Sequence, residues 1–286
     1  MVTIAVHGAG HMGAGLGWDL REGGAEVITT LAGRSPRTAR LAAEAGLVAL
    51  PSLDDVVRAA QAVLVVTPPG AARAAAAELR AATERTGATP LIADLNAISP
   101  STVDDLVKVL APLDFVDGSI SGPPPTVRPG ARLYLSGTRA DSIAGLPWRL
   151  VRPVVLPGGA GKASALKMCT ASVYKGTVGL YAQALRTAYT HGLVAEVTAD
   201  LAASGHRDAA VSVALAATKA DRYVPEMREI AAAQRAAGLP ARLFEAFAEV
   251  YADLAGTPLA QGDPESVDTG ESAEAIVARI WGSGPA

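Results

Sequence analysis

The sequence predicts an α/β domain with a doubly wound parallel sheet, followed by a long helix and an all-α domain. Two observations lead to this fold class. In the first half of the chain, short apolar runs alternate with helical patterns, which is typical of a parallel sheet covered on both faces. From Lys162 to the end, the patterning is helical. The change falls near Gly159, so we predict one domain at residues 1–158 and a second at residues 159–286.

The first element is a β-branched, apolar run at residues 3–7, and the glycine-rich turn GAGHMG follows it at residues 8–13. A helical stretch at residues 14–21 comes next, and then a second apolar strand at residues 27–31. Strand, glycine turn, helix and strand within about thirty residues form the opening unit of a dinucleotide-binding sheet. The first domain is therefore predicted to be a Rossmann domain.

The same alternation continues up to the domain boundary. Further strands are predicted at residues 47–50, 63–66, 91–95 and 115–120, and edge strands at residues 132–136 and 150–156. Helices are predicted between them at residues 36–45, 53–60, 71–82 and 102–110. In the second domain, a long helix opens near Gly161 and continues over residues 168–188. The later helices are predicted at residues 194–203, 209–221, 226–237, 243–254 and 272–281.

Composition and charge exclude several classes of function. The net charge of −3 offers no basic surface for nucleic acid or acidic lipid. Cys169 is the single cysteine, which suits a reducing cytosol. Neither a signal peptide nor an apolar run long enough to span a bilayer is found, so we expect a cytoplasmic protein that does not contact membranes. No cluster of His, Cys and Asp has metal-ligand spacing, so no metal site is predicted.

The glycine-rich turn is predicted to bind the phosphates of a cofactor. Its GxGxxG pattern is weak by itself, but here it follows a strand and opens a helix. Gly8 allows the tight turn, Gly10 the close approach of a pyrophosphate, and Gly13 the packing of helix on strand. His11 and Met12 lie between these glycines, at a helix N-terminus whose N–H groups attract phosphate, and we expect both to contact the cofactor. A plain tight turn is the alternative.

The stretch after the second strand discriminates between the two nicotinamide cofactors. NAD sites usually carry an acidic residue about twenty residues past the glycines, which binds the ribose 2′-hydroxyl. Residues 27–40 contain no Asp or Glu, and Arg34 and Ser35 stand there instead. A guanidinium and a hydroxyl suit a 2′-phosphate, so we predict NADP. The alternative is a pair of solvated arginines, Arg34 and Arg37, at a helix start.

Three further stretches follow predicted strands, at the sheet edge where ligands of open α/β sheets bind. Thr67 and Pro68 follow one strand and Asn96 another, and we expect them to line the nicotinamide end of the cofactor. The prolines and serines in these stretches could instead only end strands or cap helices. Ser121 and Gly122 end a third strand, where a substrate carboxylate could bind backbone N–H groups and the Ser121 hydroxyl. Such small residues also suit any tight turn.

A lysine in an unusual setting marks the start of the long helix. The stretch GKASALKMCTASVYKG, at residues 161–176, places Lys167 among small and apolar residues and holds three of the chain's five lysines. Lysine strongly prefers solvent. A lysine in such surroundings either extends its ammonium group to the surface or has a function.

With HGAGHMG, DLNAISP, DGSISGPP and GKASALKM in this order, the chain resembles the β-hydroxyacid dehydrogenase superfamily. That group includes 3-hydroxyisobutyrate dehydrogenases, 6-phosphogluconate dehydrogenases and the related imine reductases. The chain looks most like a bacterial branch of 6-phosphogluconate dehydrogenase-like proteins with an uncharacterised C-terminal domain. The resemblance implies a Rossmann domain, a long helix and a helical domain that pairs into a homodimer. It also implies that Ser121 and Gly122 bind the substrate, that Lys167 is the catalytic lysine, and that Asn96 lies near cofactor and substrate.

Ala171 departs from the family pattern, which has a substrate-holding asparagine four residues after its lysine. Thr170, Tyr174 and Lys175 share a helix face with Lys167. A hydroxyl and a second ammonium thus replace the amide, and we predict that Thr170 and Lys175 contact the substrate. An ordinary short 3-hydroxy acid is therefore not the expected substrate.

The leading hypothesis is an NADPH-dependent reductase, or the reverse dehydrogenase, that acts on a small polar carbonyl or hydroxy acid. Hydride transfer to a carbonyl leaves negative charge on oxygen, which a lysine of lowered pKa can stabilise and protonate. Lys167 is predicted to be this proton donor or acceptor. Lys175 would lower its pKa, and Tyr174 is the reserve donor. Two alternatives stay open: an imine reductase with Tyr174 as donor, and a non-catalytic NADP(H)-binding protein.

Overall fold

The computed structural model describes residues 2–282. Residue 1 and residues 283–286, which the predicted domains include, lie outside this part. The chain forms two compact units that divide between Met168 and Cys169, inside a long helix. The boundary predicted between residues 158 and 159 stays a prediction.

The strands of the first unit form one eight-stranded sheet within residues 3–155. Its order is β3-β2-β1-β4-β5-β6-β7-β8, and neighbouring strands run parallel except β6 and β7. The predicted fold class is confirmed. The strands are β1 (Thr3–His7), β2 (Glu26–Thr30), β3 (Val48–Leu50), β4 (Ala62–Val65), β5 (Leu91–Asp94), β6 (Phe115–Ser121), β7 (Arg132–Ser136) and β8 (Arg152–Val155).

Helices cover both faces of this sheet. They are α1 (His11–Glu22), α2 (Pro36–Glu44), α3 (Leu53–Ala59), α4 (Ala72–Thr86), α5 (Pro100–Leu110) and α6 (Ala140–Ala144), and α7 (Lys162–Thr190) begins in this unit. Successive residues of a buried strand face opposite sides. Ile4 therefore packs with Leu16 of α1 on one face, while Ala5 packs with Leu79 of α4 on the other. Two apolar layers explain why strands such as β4 (AVLV) are apolar on both faces.

Strand β7 differs from the prediction, which placed it at an edge of the sheet. It lies between β6 and β8 and runs antiparallel to β6. A parallel return needs a crossover of about a dozen residues or more, usually a helix. Residues 122–131, which connect β6 and β7, contain no helix. The chain therefore folds back directly beside β6, and β8 forms the edge.

The crevice that positions the candidate site lies between β1 and β4. The strand order proceeds from β1 to β2 and β3 on one side, and from β4 outwards on the other. Such a reversal of strand order is where ligands of doubly wound sheets bind, beyond the carboxyl ends of the strands. His7 ends β1 and Val65 ends β4, in register with each other.

The second unit is helical over the part of it that the structure describes, residues 169–282. After α7 come α8 (Val194–Ala203), α9 (Ala209–Ala217), α10 (Ala220–Ala236), α11 (Arg242–Ala255) and α12 (Ala273–Trp281), with short 3₁₀ turns at Pro258–Gln261 and Pro264–Ser266. Helix α7 approaches α11 closely, because a Cβ atom on Gly179 would lie 2.5 Å from Cδ1 of Phe247. Within residues 2–282, no helix is long and apolar enough to cross a bilayer.

The break between two helices that was predicted at residues 222–225 is wrong. The break lies earlier, between Ala217 and Ala220, and helix α10 continues through Pro225. Proline removes one helical hydrogen bond and disfavours a helix interior. Here the neighbours of Pro225 are held by packing, since Tyr223 stacks edge-on against Tyr251 at 5.3 Å and Glu226 pairs with Lys175. Tertiary contacts thus override the local preference of proline.

Candidate functional site

The glycine-rich turn after β1 has the geometry of a phosphate cradle. Gly8 has φ +101°, and a Cβ atom there would lie 2.3 Å from the Val66 carbonyl oxygen. A Cβ atom on Gly13 would lie 2.1 Å from the Gly8 carbonyl oxygen, whereas one on Gly10 would meet nothing within 4 Å. Glycine is thus required at the first and third positions, because a side chain there would clash with the backbone. Gly10 instead leaves open space in front of the turn.

Helix α1 begins at His11, three residues before the predicted start, with Gly10 as its N-cap. No side chain caps this end, and the first turn contains no acidic residue. Its N–H groups and partial positive charge therefore favour an anion. His11 and Met12, which were predicted to contact the cofactor, are the first two residues of the helix.

Arg34 lies beside His7 at the carboxyl ends of β2 and β1. Its Nη2 is 3.5 Å from Nε2 of His7, and the His7 side chain is buried. Burial, and then the nearby Arg34 guanidinium, lower the pKa of His7 to about 4. Ser35, predicted to bind the 2′-phosphate, is the N-cap of α2 and accepts a hydrogen bond from the Thr38 amide. Its hydroxyl thus has a structural role, and its contact with a 2′-phosphate stays a prediction.

Asn96 links the ends of β4 and β5. Its Oδ1 accepts a hydrogen bond from the Thr67 amide at 2.7 Å, and its Nδ2 donates to the Thr67 hydroxyl and to Asp94 Oδ2. Asp94 is buried, and burial raises its pKa to about 7, with the Asp117 carboxylate adding to the rise and the hydrogen bonds from Asn96 opposing it. Asn96 and Thr67, both predicted to line the nicotinamide end, are therefore brought together. Pro68 follows them as the N-cap of a short 3₁₀ turn.

Asp117 anchors the start of α7 to the sheet. Its carboxylate accepts hydrogen bonds from the Gly161 and Ser164 amides at 2.8 and 3.1 Å. The Ser164 and Ser136 hydroxyls donate to the same carboxylate at 2.5 and 2.8 Å. All these donors are buried or nearly so, and a carboxylate in such surroundings needs several donors. The network fixes the first turn of α7 against β6 and β7.

Lys167 lies one turn further along α7, above the end of β6. Its Nζ donates a hydrogen bond to the carbonyl oxygen of Ile120, 2.8 Å away. Ser121 is the last residue of β6, and Gly122 follows with φ +125°, where a Cβ atom would lie 3.1 Å from Cα of Ala131. The first unit therefore brings together Lys167, Ser121 and Gly122, three of the predicted site residues.

The proline-rich turn after Gly122 packs on the helix of the phosphate cradle. A Cβ atom on Gly15 of α1 would lie 3.0 Å from Cβ of Pro124 and 3.2 Å from Cδ of Pro125. The predicted substrate turn and the predicted cofactor helix are thus in direct contact. A shift of the turn would therefore displace the helix, because closely packed elements transmit strain.

Three predicted site residues belong to the second unit. Lys175 makes an ion pair with buried Glu226, and its Nζ lies 4.1 Å from the centre of the Tyr223 ring. Burial, and then the Glu226 carboxylate, raise the pKa of Tyr223 to about 12. Tyr174 is 68% exposed, and Thr170 is half-buried. Lys175, which was expected to act as a second cation beside Lys167, is therefore paired with the carboxylate of Glu226 on α10.

Known protein families match most of the chain. Residues 3–147 match the NAD binding domain of 6-phosphogluconate dehydrogenase. The chain belongs to this family. Residues 188–254 match a domain of unknown function, DUF1932. No curated protein matches the chain by sequence.

Solved structures agree with the family. A conserved protein of unknown function, described as structurally similar to 3-hydroxyacid dehydrogenases, is 27% identical over 89% of this chain and 97% of its own, with a TM-score of 0.63. A Mycobacterium tuberculosis 3-hydroxyisobutyrate dehydrogenase is 20% identical over 98% of this chain and 99% of its own, at 0.65. A Streptomyces aurantiacus imine reductase is 18% identical over 87% of this chain and 93% of its own, at 0.57. The resemblance to the β-hydroxyacid dehydrogenase superfamily is confirmed, and it supports an NAD(P)-binding oxidoreductase.

Several residues that shape the site were not predicted from the sequence. Asp94 and Asp117 position Asn96 and α7, and Glu78 of α4 lies 3.9 Å from Nε2 of His7. The two aspartates could have been identified from the sequence. Each lies in a predicted buried strand, where a carboxylate needs hydrogen-bond donors. Glu78 and Glu226 could not be identified in this way. They lie on helices whose polar residues usually face solvent.

Proposed function

We propose that this chain is an NADPH-dependent oxidoreductase that reduces a small polar carbonyl group or oxidises the matching hydroxy acid. The observation that carries the proposal is the position of Lys167, whose ammonium donates to the Ile120 carbonyl at the end of β6. Ser121 and Gly122 follow Ile120 directly. Ligands of open α/β sheets bind at this edge, so a proton donor there lies where a substrate would bind.

The residues of the cradle fit a nicotinamide dinucleotide. Helix α1 has an uncapped N-terminus, and the space in front of Gly10 is open. The amides of His11, Met12 and Gly13 would bind the pyrophosphate. Arg34 and Ser35 would bind a 2′-phosphate, and Thr67, Pro68 and Asn96 would line the nicotinamide end. When bound, the cofactor supplies or accepts a hydride.

Lys167 moves the proton of the reaction. Its Nζ gives a proton to the oxygen atom on which negative charge develops during reduction, and it takes the hydroxyl proton during oxidation. An ammonium group has three N–H donors, and the bond to Ile120 fixes its orientation with one of them. Ser121, Gly122, Thr170 and Lys175 are proposed substrate contacts, and Tyr174 is the reserve proton donor.

We also propose a cytoplasmic homodimer that forms through the helical domain. Val173, Tyr174 and Leu180 of α7 are 63%, 68% and 61% exposed, which is unusual for three apolar or aromatic side chains on one helix. Burial against a second copy would remove them from water. Light scattering on the purified protein tests this, and the mass of a single chain would contradict it.

NADPH oxidation, followed by absorbance, tests the proposed reaction with a panel of β-keto acids, semialdehydes and cyclic imines. Turnover of a carbonyl substrate that is lost in Lys167→Met supports the proposal. Turnover of an imine that survives Lys167→Met but is lost in Tyr174→Phe supports an imine reductase instead. Tight NADPH binding without turnover of any substrate class supports a non-catalytic cofactor-binding protein. NADH bound more tightly than NADPH would contradict the proposed cofactor.

A further inference from the structure

His7 is a polar residue at the end of β1, directly after three apolar residues. The preceding residues of β1, from Ile4 to Val6, are fully buried, and His7 itself is only 4% exposed. A buried polar side chain is costly unless it is hydrogen-bonded. The His7 ring meets the Arg34 guanidinium, whose Nη2 lies 3.5 Å from Nε2.

The direction of this hydrogen bond is fixed by chemistry. A guanidinium only donates, so Nε2 of His7 accepts, and the imidazole must be neutral. Burial, followed by the positive charge of Arg34, lowers the pKa of His7 to about 4, which keeps the ring neutral at neutral pH. The Glu78 carboxylate also faces the ring, with Oε2 3.9 Å from Nε2 on a side chain that is 60% exposed.

The hydrogen bond restrains an arginine that would otherwise be mobile. Arg34 is exposed and stands in the turn between β2 and α2. An arginine side chain has many rotamers, and binding an anion with an unrestrained guanidinium loses part of that freedom. His7 is buried at the end of β1, so its ring holds one edge of the guanidinium there. This contact also restrains the remaining N–H groups of the guanidinium.

We propose that His7 sets the cofactor preference by orienting Arg34 toward the 2′-phosphate of NADPH. His7 is thus a positioning residue that acts through Arg34 and does not itself contact the phosphate. This inference deepens the proposed function and rests on it, because it requires NADPH to be the preferred cofactor. NADH lacks the 2′-phosphate, so its binding does not depend on the orientation of Arg34.

Fluorescence titration of the full-length protein with NADPH and with NADH tests the proposal in two variants. His7→Gln places an amide acceptor near the position of Nε2, whereas the shorter side chain of His7→Asn does not reach it. We expect His7→Asn to bind NADPH about tenfold more weakly, the effect of one charged hydrogen bond, and NADH within about twofold of the parent chain. His7→Gln is expected to bind NADPH within about threefold of the parent chain. Equal losses for both cofactors, or equal losses in both variants, would overturn the proposal.

A double-mutant cycle with Arg34→Ala separates positioning from general damage. In the Arg34→Ala chain, adding His7→Asn is expected to change NADPH affinity by less than about twofold. Additive losses would mean that His7 acts independently of Arg34. The matched control is His191→Asn, because His191 is an exposed histidine of the second unit. Its ratio of NADPH to NADH affinity is expected to equal that of the parent chain.

The failure of this inference is distinguishable from the failure of the proposed function. If the parent chain binds NADH more tightly than NADPH, the proposed cofactor is wrong. If the parent chain prefers NADPH and Arg34→Ala abolishes the preference while His7→Asn leaves it intact, only the role of His7 is wrong.

Discussion

The ammonium group of Lys167 donates a hydrogen bond to the carbonyl oxygen of Ile120, 47 residues earlier in the chain. This contact ties α7 to the last residues of β6. It places the lysine beside Ser121 and Gly122, at the edge where ligands of open α/β sheets generally bind.

Replacing Lys167 with methionine is expected to lower turnover strongly while leaving cofactor binding intact. Methionine matches the lysine side chain up to Cε but lacks the amino group, so it cannot hold or transfer a proton. Loss of general acid catalysis should lower kcat by about 10²–10⁴-fold. Steady-state kinetics with the best substrate of the panel and an NADPH titration measure the two effects. The matched control is Lys162→Met, on the same helix with an exposed side chain; a comparable loss in the control would remove the argument for Lys167.

Replacing Asp117 with asparagine is expected to destabilise the first unit by about 2–4 kcal/mol. Four hydrogen bonds from Gly161, Ser164 and Ser136 end on this buried carboxylate, and an amide NH₂ would oppose at least one of these donors. The free energy of unfolding in urea measures the loss. Asp114→Asn is the control, because its ion pair with Arg139 is exposed, and we expect less than about 1 kcal/mol there. Similar values for the two variants would contradict the anchoring role.

Asp94 is expected to make stability fall as pH rises. Burial raises the pKa of its carboxyl group from the ordinary value of 3.8 to about 7, so the folded protein holds this proton more tightly than the unfolded chain. Its contribution is therefore complete below about pH 4 and is lost as the pH rises through about 7. His7 has the opposite effect on the acid side, because its pKa is lowered from 6.5 to about 4.

The comparison of the parent chain with Asp94→Asn cancels the contribution of His7. Asparagine does not titrate, so the stability advantage of the parent chain should shrink by about 2 kcal/mol between about pH 5 and about pH 8. Urea unfolding at several pH values checks this. A difference that stays constant with pH would show that Asp94 is ionised throughout the range.

Removing one partner of the Lys175–Glu226 pair is expected to cost about 3–5 kcal/mol of stability. Both side chains are largely buried, and among the side chains that the structure describes, Oε1 of Glu226 is the one buried oxygen or nitrogen without a hydrogen-bond partner. Lys175→Met would leave this carboxylate without its counter-charge. The double variant Lys175→Met, Glu226→Leu should recover most of the loss, because no buried charge remains. Arg235→Ala breaks an exposed pair with Glu245 and should cost less than about 1 kcal/mol.

Local sequence patterns predicted much of the fold because they follow from local physics. The apolar runs at β1 and β4 and the alanine-rich α4 need no distant partner to be identified. The prediction failed where the deciding partner is distant. Whether β7 becomes an edge strand depends on β8, which pairs with it from further along the chain. Helix α10 passes through Pro225 because Tyr251 and Lys175 hold the residues beside it.

The sequence by itself determined the fold class, the glycine turn from Gly8 to Gly13 and the family to which the chain belongs. These depend on residue types at short spacings, which are visible without coordinates. The tertiary structure alone decided how the polar groups pair: Lys167 with Ile120, Arg34 with His7, and Lys175 with Glu226. The physical reason is that a buried polar group must find a partner wherever the packing supplies one. Periodicity shows which residues are buried, but only the packed chain shows which donor meets which acceptor.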